Sequence, residues 1–321
     1  MGVVVVTSAG ALAREQGASE SSRRVELRVV VSLPPLKGLV EPLLPEGAEV
    51  TMLMRPGRSE HGYEFTPADL RAVADADVVV LNGLGLEARV ERAIEREERE
   101  GRQVVIFSRV VGEEGEEGEV GEEAHPRPLP QGGVEEEHVH GPACEHEHGP
   151  VDQHLWLDPV LVGRLVPAVR DAIANALRAD GVWTAEIGAD LDARASELVE
   201  RVRAVDRAWR EGLEPHQGKS VVTHHNAFPR AAERYGFRIA TVIRGMTGQE
   251  PTPSQFTGVI KRIKDEGVKA VFFEPQFNPA TAQRIAKAAG VEALELDPLG
   301  DGDWEGLMRK NLESLVRGLS R

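Results

Sequence analysis

The chain has 10 histidines, and their positions divide them into two groups. His125, His138, His140, His146 and His148 sit in an acidic, low-complexity stretch, while His61, His154, His216, His224 and His225 sit in ordinary chain. Neutral imidazoles combined with a carboxylate suit Zn²⁺, which takes such donors at about 2.0–2.1 Å in a near-tetrahedral shell. Manganese asks for a larger share of oxygen. A loop or capping role is the ordinary explanation for any one of these histidines alone. Their joint placement is what favours a metal site, and that depends on the elements around them.

Short β-rich apolar runs at 25–32, 50–54, 77–82 and 103–107 alternate with helical patterns, the clearest at 87–100. Four βα units in succession imply a mostly parallel sheet covered by helices. A second set follows, with strands expected at 220–223, 238–243, 270–274 and 293–296 and helices at 254–266, 280–289 and 304–319. A further helix is expected near 159–179, with Pro159 in its first turn. Between the sets, 184–213 reads as one long helix. Ile187, Leu191, Leu198, Val202, Val205 and Trp209 fall on one face, and Asp190/Arg194, Glu197/Arg201 and Asp206/Arg210 are acid-before-base pairs four apart. The fold class is therefore α/β, two lobes of alternating β/α units with parallel-type sheets joined by one long helix. The expected divisions are an N-terminus at 1–24, a first lobe at 25–182, the linking helix at 183–213 and a second lobe at 214–321.

In open α/β sheets, ligands bind outside the carboxyl ends of the strands. His61 follows the second strand of the first lobe, and His224 and His225 follow the first strand of the second. Asp297 follows the last strand, and His154 follows the acidic stretch. Glu274-Pro275 either orients a ligand or ends its strand. His216 precedes a strand and reads as a surface residue, and Trp156 reads as core packing.

Charge and composition narrow the function classes. The formal net charge is −15, and 113–150 holds 12 Glu against one basic residue, Arg127, so 11 of those charges lie there. Nucleic acid is excluded as a partner, because neutralising phosphate needs Lys and Arg. The same stretch cannot bury enough apolar surface to offset its ordering entropy, so disorder is expected. Its His-x-His pairs (138/140 and 146/148) among glutamates suit loose metal capture. The single cysteine, Cys144, excludes an internal disulfide framework. Val3–Val6 and Ala11-Leu12-Ala13 give either an export signal lacking its charged start or an irregular tail. No apolar run is long enough to span a membrane.

Five segments in order resemble the solute-binding proteins of zinc and manganese ABC transporters, the cluster 9 (A-I) family. They are His61-Gly62-Tyr63-Glu64-Phe65-Thr66-Pro67, His154-Leu155-Trp156-Leu157-Asp158-Pro159, His225-Asn226-Ala227-Phe228, Glu274-Pro275-Gln276-Phe277 and Leu296-Asp297-Pro298-Leu299-Gly300. The resemblance covers about 25–321. It implies His61, His154 and His225 as ligands, with Asp297 or Glu60 as the fourth partner. His225, where manganese carriers commonly have Glu, and the His-rich acidic loop resemble the zinc branch. His224 leaves open which of the paired imidazoles coordinates, and the C-terminal disulfide of some zinc-branch relatives is missing.

What the resemblance implies is a monomeric periplasmic or extracytoplasmic carrier. It would bind Zn²⁺ between its lobes and deliver it to an ABC-transporter membrane permease. A manganese or iron carrier, a surface adhesin and a zinc-dependent hydrolase are the alternatives. Against the hydrolase, the chain has no His-Glu-x-x-His helix and no Gly-x-Ser-x-Gly elbow.

Overall fold

The computed structural model describes residues 26–97, 99–113, 152–244 and 251–320. The expectations for the N-terminal tail, for residues 114–151 and for Cys144 fall outside these.

The first lobe runs β1 (Arg28–Val31), α1 (Pro34–Val40), β2 (Glu49–Met52), α2 (Pro67–Asp75), β3 (Val78–Leu81), α3 (Ala88–Arg96), β4 (Gln103–Ile106) and α4 (Phe107–Val111). Then come α5 (Pro159–Ala179) and the long α6 (Ala185–Leu213). The second lobe runs β5 (Ser220–Thr223), α7 (Pro229–Tyr235), β6 (Arg238–Val242), α8 (Pro253–Asp265), β7 (Ala270–Phe273), α9 (Ala280–Ala289), β8 (Glu292–Glu295) and α10 (Trp304–Leu319).

Among the described residues each lobe has a four-stranded, wholly parallel sheet, ordered β2-β1-β3-β4 and β6-β5-β7-β8. The valine runs explain why. Strands in parallel sheets are covered on both faces and so lose the polar alternation of a half-exposed strand. Val29, Val31, Val78 and Val80 point into the main core shared with α5 and α6, whereas Val30, Val79 and Leu81 point into a smaller core under α2 and α3. The second sheet does the same, with Phe272 in the main core and Val222 and Val271 under α8 and α9.

Helix starts are written locally. Thr66 and Asp69 form a capping box ahead of Pro67, and Thr252 and Gln255 form another ahead of Pro253. Asp158 caps α5 by accepting from Val160 N at 2.9 Å. The long helix buries Leu191, Leu198, Val202, Trp209 and Leu213, while Ile187 and Val205 are only half-buried. Asp190–Arg194 (2.7 Å) and Asp206–Arg210 (3.0 Å) pair along it, but Arg201 turns to Glu305 of α10 at 3.1 Å.

Indole hydrogen bonds lock the lobes together. Trp156 Nε1 donates to Pro298 O (2.6 Å) and Trp304 Nε1 donates to Trp156 O (2.8 Å). Trp156 is fully buried, in keeping with a core role. His216 corrects the expectation of a surface residue. It is 7% exposed, facing Lys219 Nζ at 3.4 Å and Ser320 Oγ at 3.3 Å, because the end of α10 folds over it.

Candidate metal centre

The site forms where loops at the carboxyl ends of both sheets meet. The first sheet reverses its strand order around β1 and β3 and the second around β5 and β7, and such reversals open a crevice at the strand ends. Beyond β2 the chain makes one 3₁₀ turn, Glu60–Gly62, which brings Glu60 and His61 inward together. His154 precedes another 3₁₀ turn, Leu155–Leu157, whose apolar side chains are all buried. His225 lies just past β5.

One donor atom from each of Glu60, His61, His154 and His225 falls within 4.8 Å of the others. His154 Nε2 is 3.0 Å from Glu60 Oε1 and 3.1 Å from His225 Nε2. His61 Nε2 is 3.4 Å from His225 Nε2 and 3.8 Å from Glu60 Oε1, and His225 Nε2 is 3.6 Å from that oxygen. A tetrahedral shell with bonds of about 2.0–2.1 Å has edges of about 3.4 Å. The cluster therefore has the size of such a shell. Its rings are steeply inclined to one another, from 53° to 89°, so the three Nε2 atoms converge while the ring bodies stay apart.

Hydrogen bonds on the far side of the rings set their direction. His225 Nδ1 lies 2.5 Å from Glu274 Oε1, which also accepts from His225 N at 3.2 Å. His154 Nδ1 lies 2.8 Å from Asp152 Oδ1, which accepts from His154 N at 3.0 Å. A carboxylate at Nδ1 keeps the proton there and leaves the Nε2 lone pair for a cation. Glu274, just past β7, thus orients a candidate ligand. Asp152 is not among the residues the sequence singles out, and a carboxylate two residues before a histidine is the signal that points to it.

Burial grades the four side chains. Glu60, His154 and His225 are 1%, 3% and 6% exposed, against 14% for His61, which forms the mouth of the site. Burial opposes the charge of Glu60, but the His154 hydrogen bond and the surrounding imidazoles outweigh it and hold the carboxyl at about 2. Burial also opposes charge on His154, yet hydrogen bonds to Asp152 and Glu60 raise it to about 9. For His61 burial wins over the pull of Glu60, giving about 4.

The other two sequence candidates lie apart from this cluster. Asp297 is outside the group; its Oδ1 accepts from Gln276 Nε2 (2.7 Å) and Leu299 N (2.9 Å). His224 is buried and stacked on Phe277 at 4.7 Å, and burial together with Arg244 and His225 lowers it to about 4.

A family model described as the periplasmic component A of the zinc-uptake complex (ZnuA) matches residues 29–318. The chain belongs to the ZnuA family. This is a family of transport binding proteins, not of enzymes, and the His/Glu cluster suits the metal-binding role of its members. The zinc-binding protein AdcA of Streptococcus pyogenes serotype M3 is 26% identical over 299 residues, covering 90% of this chain and 55% of AdcA. The chain thus spans about half the length of that relative. The manganese-binding lipoprotein MntA of Halalkalibacterium halodurans is 26% identical over 332 aligned positions, covering 99% and 96%. Among solved structures, the periplasmic zinc-binding protein TroA from Treponema pallidum superposes with a TM-score of 0.72 at 20% identity, covering 92% and 100%. That likeness bears out the two-lobed ZnuA-family fold.

Proposed function

We propose that this ZnuA-family protein is an extracytoplasmic zinc carrier. It takes up one Zn²⁺ between His61, His154, His225 and Glu60 and passes it to an ABC-transporter membrane permease. The observation that carries this reading is the donor set: three imidazole nitrogens and one carboxylate oxygen, spaced 3.0–3.8 Å apart along the measured edges. Such nitrogen-rich, four-point geometry favours zinc, whereas manganese would ask for more oxygen than one carboxylate brings. Of the two carboxylates considered for the fourth position, Glu60 is favoured. Its oxygen already faces all three imidazoles, while Asp297 is engaged with Gln276.

Capture needs little rearrangement. The cation arrives at His61, the most accessible donor, and the inner three close around it with their far-side carboxylates in place. Competition calorimetry with Zn²⁺ and Mn²⁺ on the full chain tests the assignment. Zinc is expected to bind one to one and displace manganese; equal or stronger manganese binding would make the protein a manganese carrier, as its relative MntA is named.

A further inference from the structure

We propose that Arg230 is the positioning residue for His154, holding it in register with His225 from the opposite lobe. The proposal rests on His154 being a metal ligand. Arg230 lies in the first turn of α7, directly after the loop that carries His225. Its guanidinium reaches across to the segment that carries His154. Nη2 donates to Asp152 O at 2.9 Å, and Nε lies 3.2 Å from Asp152 Oδ2. The other carboxylate oxygen of Asp152 is the one that holds His154 Nδ1 and N. Asp152 is thus shared, one oxygen on the imidazole and the other facing the guanidinium.

The rest of the guanidinium is fixed in turn. Nη1 and Nη2 donate to Glu113 Oε1 and Oε2 at 2.7 and 2.5 Å, a fork-on-fork pair that sets the plane of the group. From the first lobe, Asn82 Nδ2 donates to Gln153 O (2.9 Å) and Gln153 Nε2 donates to Leu84 O (2.5 Å). The His154 segment is therefore gripped from both sides, and Arg230 is the grip that belongs to the His225 side. His154 and His225 come from different lobes, so their 3.1 Å approach depends on whatever fixes one lobe's loop against the other. Lysine offers one cationic centre where Arg230 makes three hydrogen bonds and a further ionic approach from separate nitrogens, so it cannot reproduce the whole set.

The test uses the full chain with Zn²⁺ competition and Co²⁺ absorption spectra as readouts, on Arg230→Gln, Arg230→Lys, Asp152→Asn, the Arg230→Gln/Asp152→Asn double variant and His154→Ala. We expect Arg230→Gln to weaken zinc binding about 10-fold or more, the range for losing support behind a metal-bound histidine. Its Co²⁺ spectrum should shift, and the double variant should be little worse than the weaker single one, since both act along one path. Arg230→Lys should show a smaller loss in the same direction and serves if Arg230→Gln does not fold. Unchanged affinity and spectrum in both Arg230 variants overturn the proposal. So do a loss with the spectrum unchanged and effects that add, which describe lobe packing alone. If His154→Ala also binds zinc normally, the ligand assignment itself has failed, which the Arg230 variants alone would not reveal.

Discussion

Glu274 Oε1 holds both the backbone N–H (3.2 Å) and the ring Nδ1 (2.5 Å) of His225. A single oxygen thereby fixes where the residue sits and which way its ring faces. Glu274 follows β7 as His225 lies just past β5, and these strands are neighbours in the sheet, so the contact is a product of strand order. Replacing Glu274 with Gln keeps the shape but puts neutral amide chemistry behind the ring. Zinc affinity should fall about 10- to 100-fold by competition titration, with little change in thermal stability.

In the proposed site, alanine at Glu60, His61, His154 or His225 removes one of the four converging donors. Each should lose more affinity than Glu274→Gln, at least about 100-fold. His224→Ala and Asp297→Asn should lose much less, because neither side chain belongs to the converging group. A titration in which Asp297→Asn matches Glu60→Ala would exchange the two carboxylates in the assignment.

If His154 is a ligand as proposed, zinc must compete there with a proton. The imidazole stays protonated up to about pH 9 in the metal-free protein, held by Asp152 and Glu60, while Glu60 is ionised down to about 2 and His61 stays neutral down to about 4. A cation taken up at the cluster below about pH 9 therefore has the His154 proton to displace. Affinity should fall about tenfold for each unit that pH drops, with about one proton released per zinc. Binding enthalpies measured in buffers of different ionisation heat give that number directly.

Glu87 is a fully buried acid outside the cluster. It accepts from Ser32 Oγ (2.5 Å), Asn82 N (3.1 Å) and Gly83 N (2.9 Å), yet burial outweighs these bonds and raises it to about 7. The folded protein then binds this proton more tightly than the unfolded chain, where the acid titrates near 4.5. Its stabilisation is complete below about pH 4.5 and is lost as pH rises through 7, up to roughly 3 kcal/mol in all. Glu87→Gln should flatten that part of the Tm–pH curve in differential scanning calorimetry.

Gly38 of α1 marks a close approach between the lobes. A Cβ there would lie 2.6 Å from both Gly302 O and Trp304 N, backbone atoms leading into α10. Gly38→Ala should cost roughly 1–3 kcal/mol, seen as a lower denaturation midpoint, because the backbone cannot rotate out of the way as a side chain could.

The sheets were legible because both faces of their strands are covered, leaving unbroken valine runs such as Val78–Leu81. Helix ends were less so. The charged run at 87–100 suggested a helix to its last residue, yet α3 stops at Arg96, with Glu97 out of helical geometry (φ −118°, ψ 73°), because the following glutamates and arginines bring no apolar face to bury. His61 and His225 stand out from type and position, since strand ends determine where a loop starts, whereas His154 follows the acidic stretch and Glu60 enters only through the family resemblance. Side-chain direction is not written that way. Asp297 stands at a strand end as His225 does, but Gln276 and the Leu299 amide hold its carboxylate. His216 is buried by Ser320, a residue distant in sequence, which no local pattern reveals.

The paired indole bonds between Trp156, Pro298 and Trp304 tie the frame at a point just two residues from His154. A frame fastened there resists a change of outline when a cation is taken up. Under the proposed carrier function, an acceptor protein would then need a signal other than shape to tell a laden carrier from a spent one. What does differ is the sign at the mouth. With His154 protonated against Glu60 that pair is neutral, and exchanging the proton for a divalent cation leaves it one unit more positive. Recognition of cargo would then be electrostatic, strongest in dilute salt and fading within about 10 Å as ionic strength reaches 0.1 M.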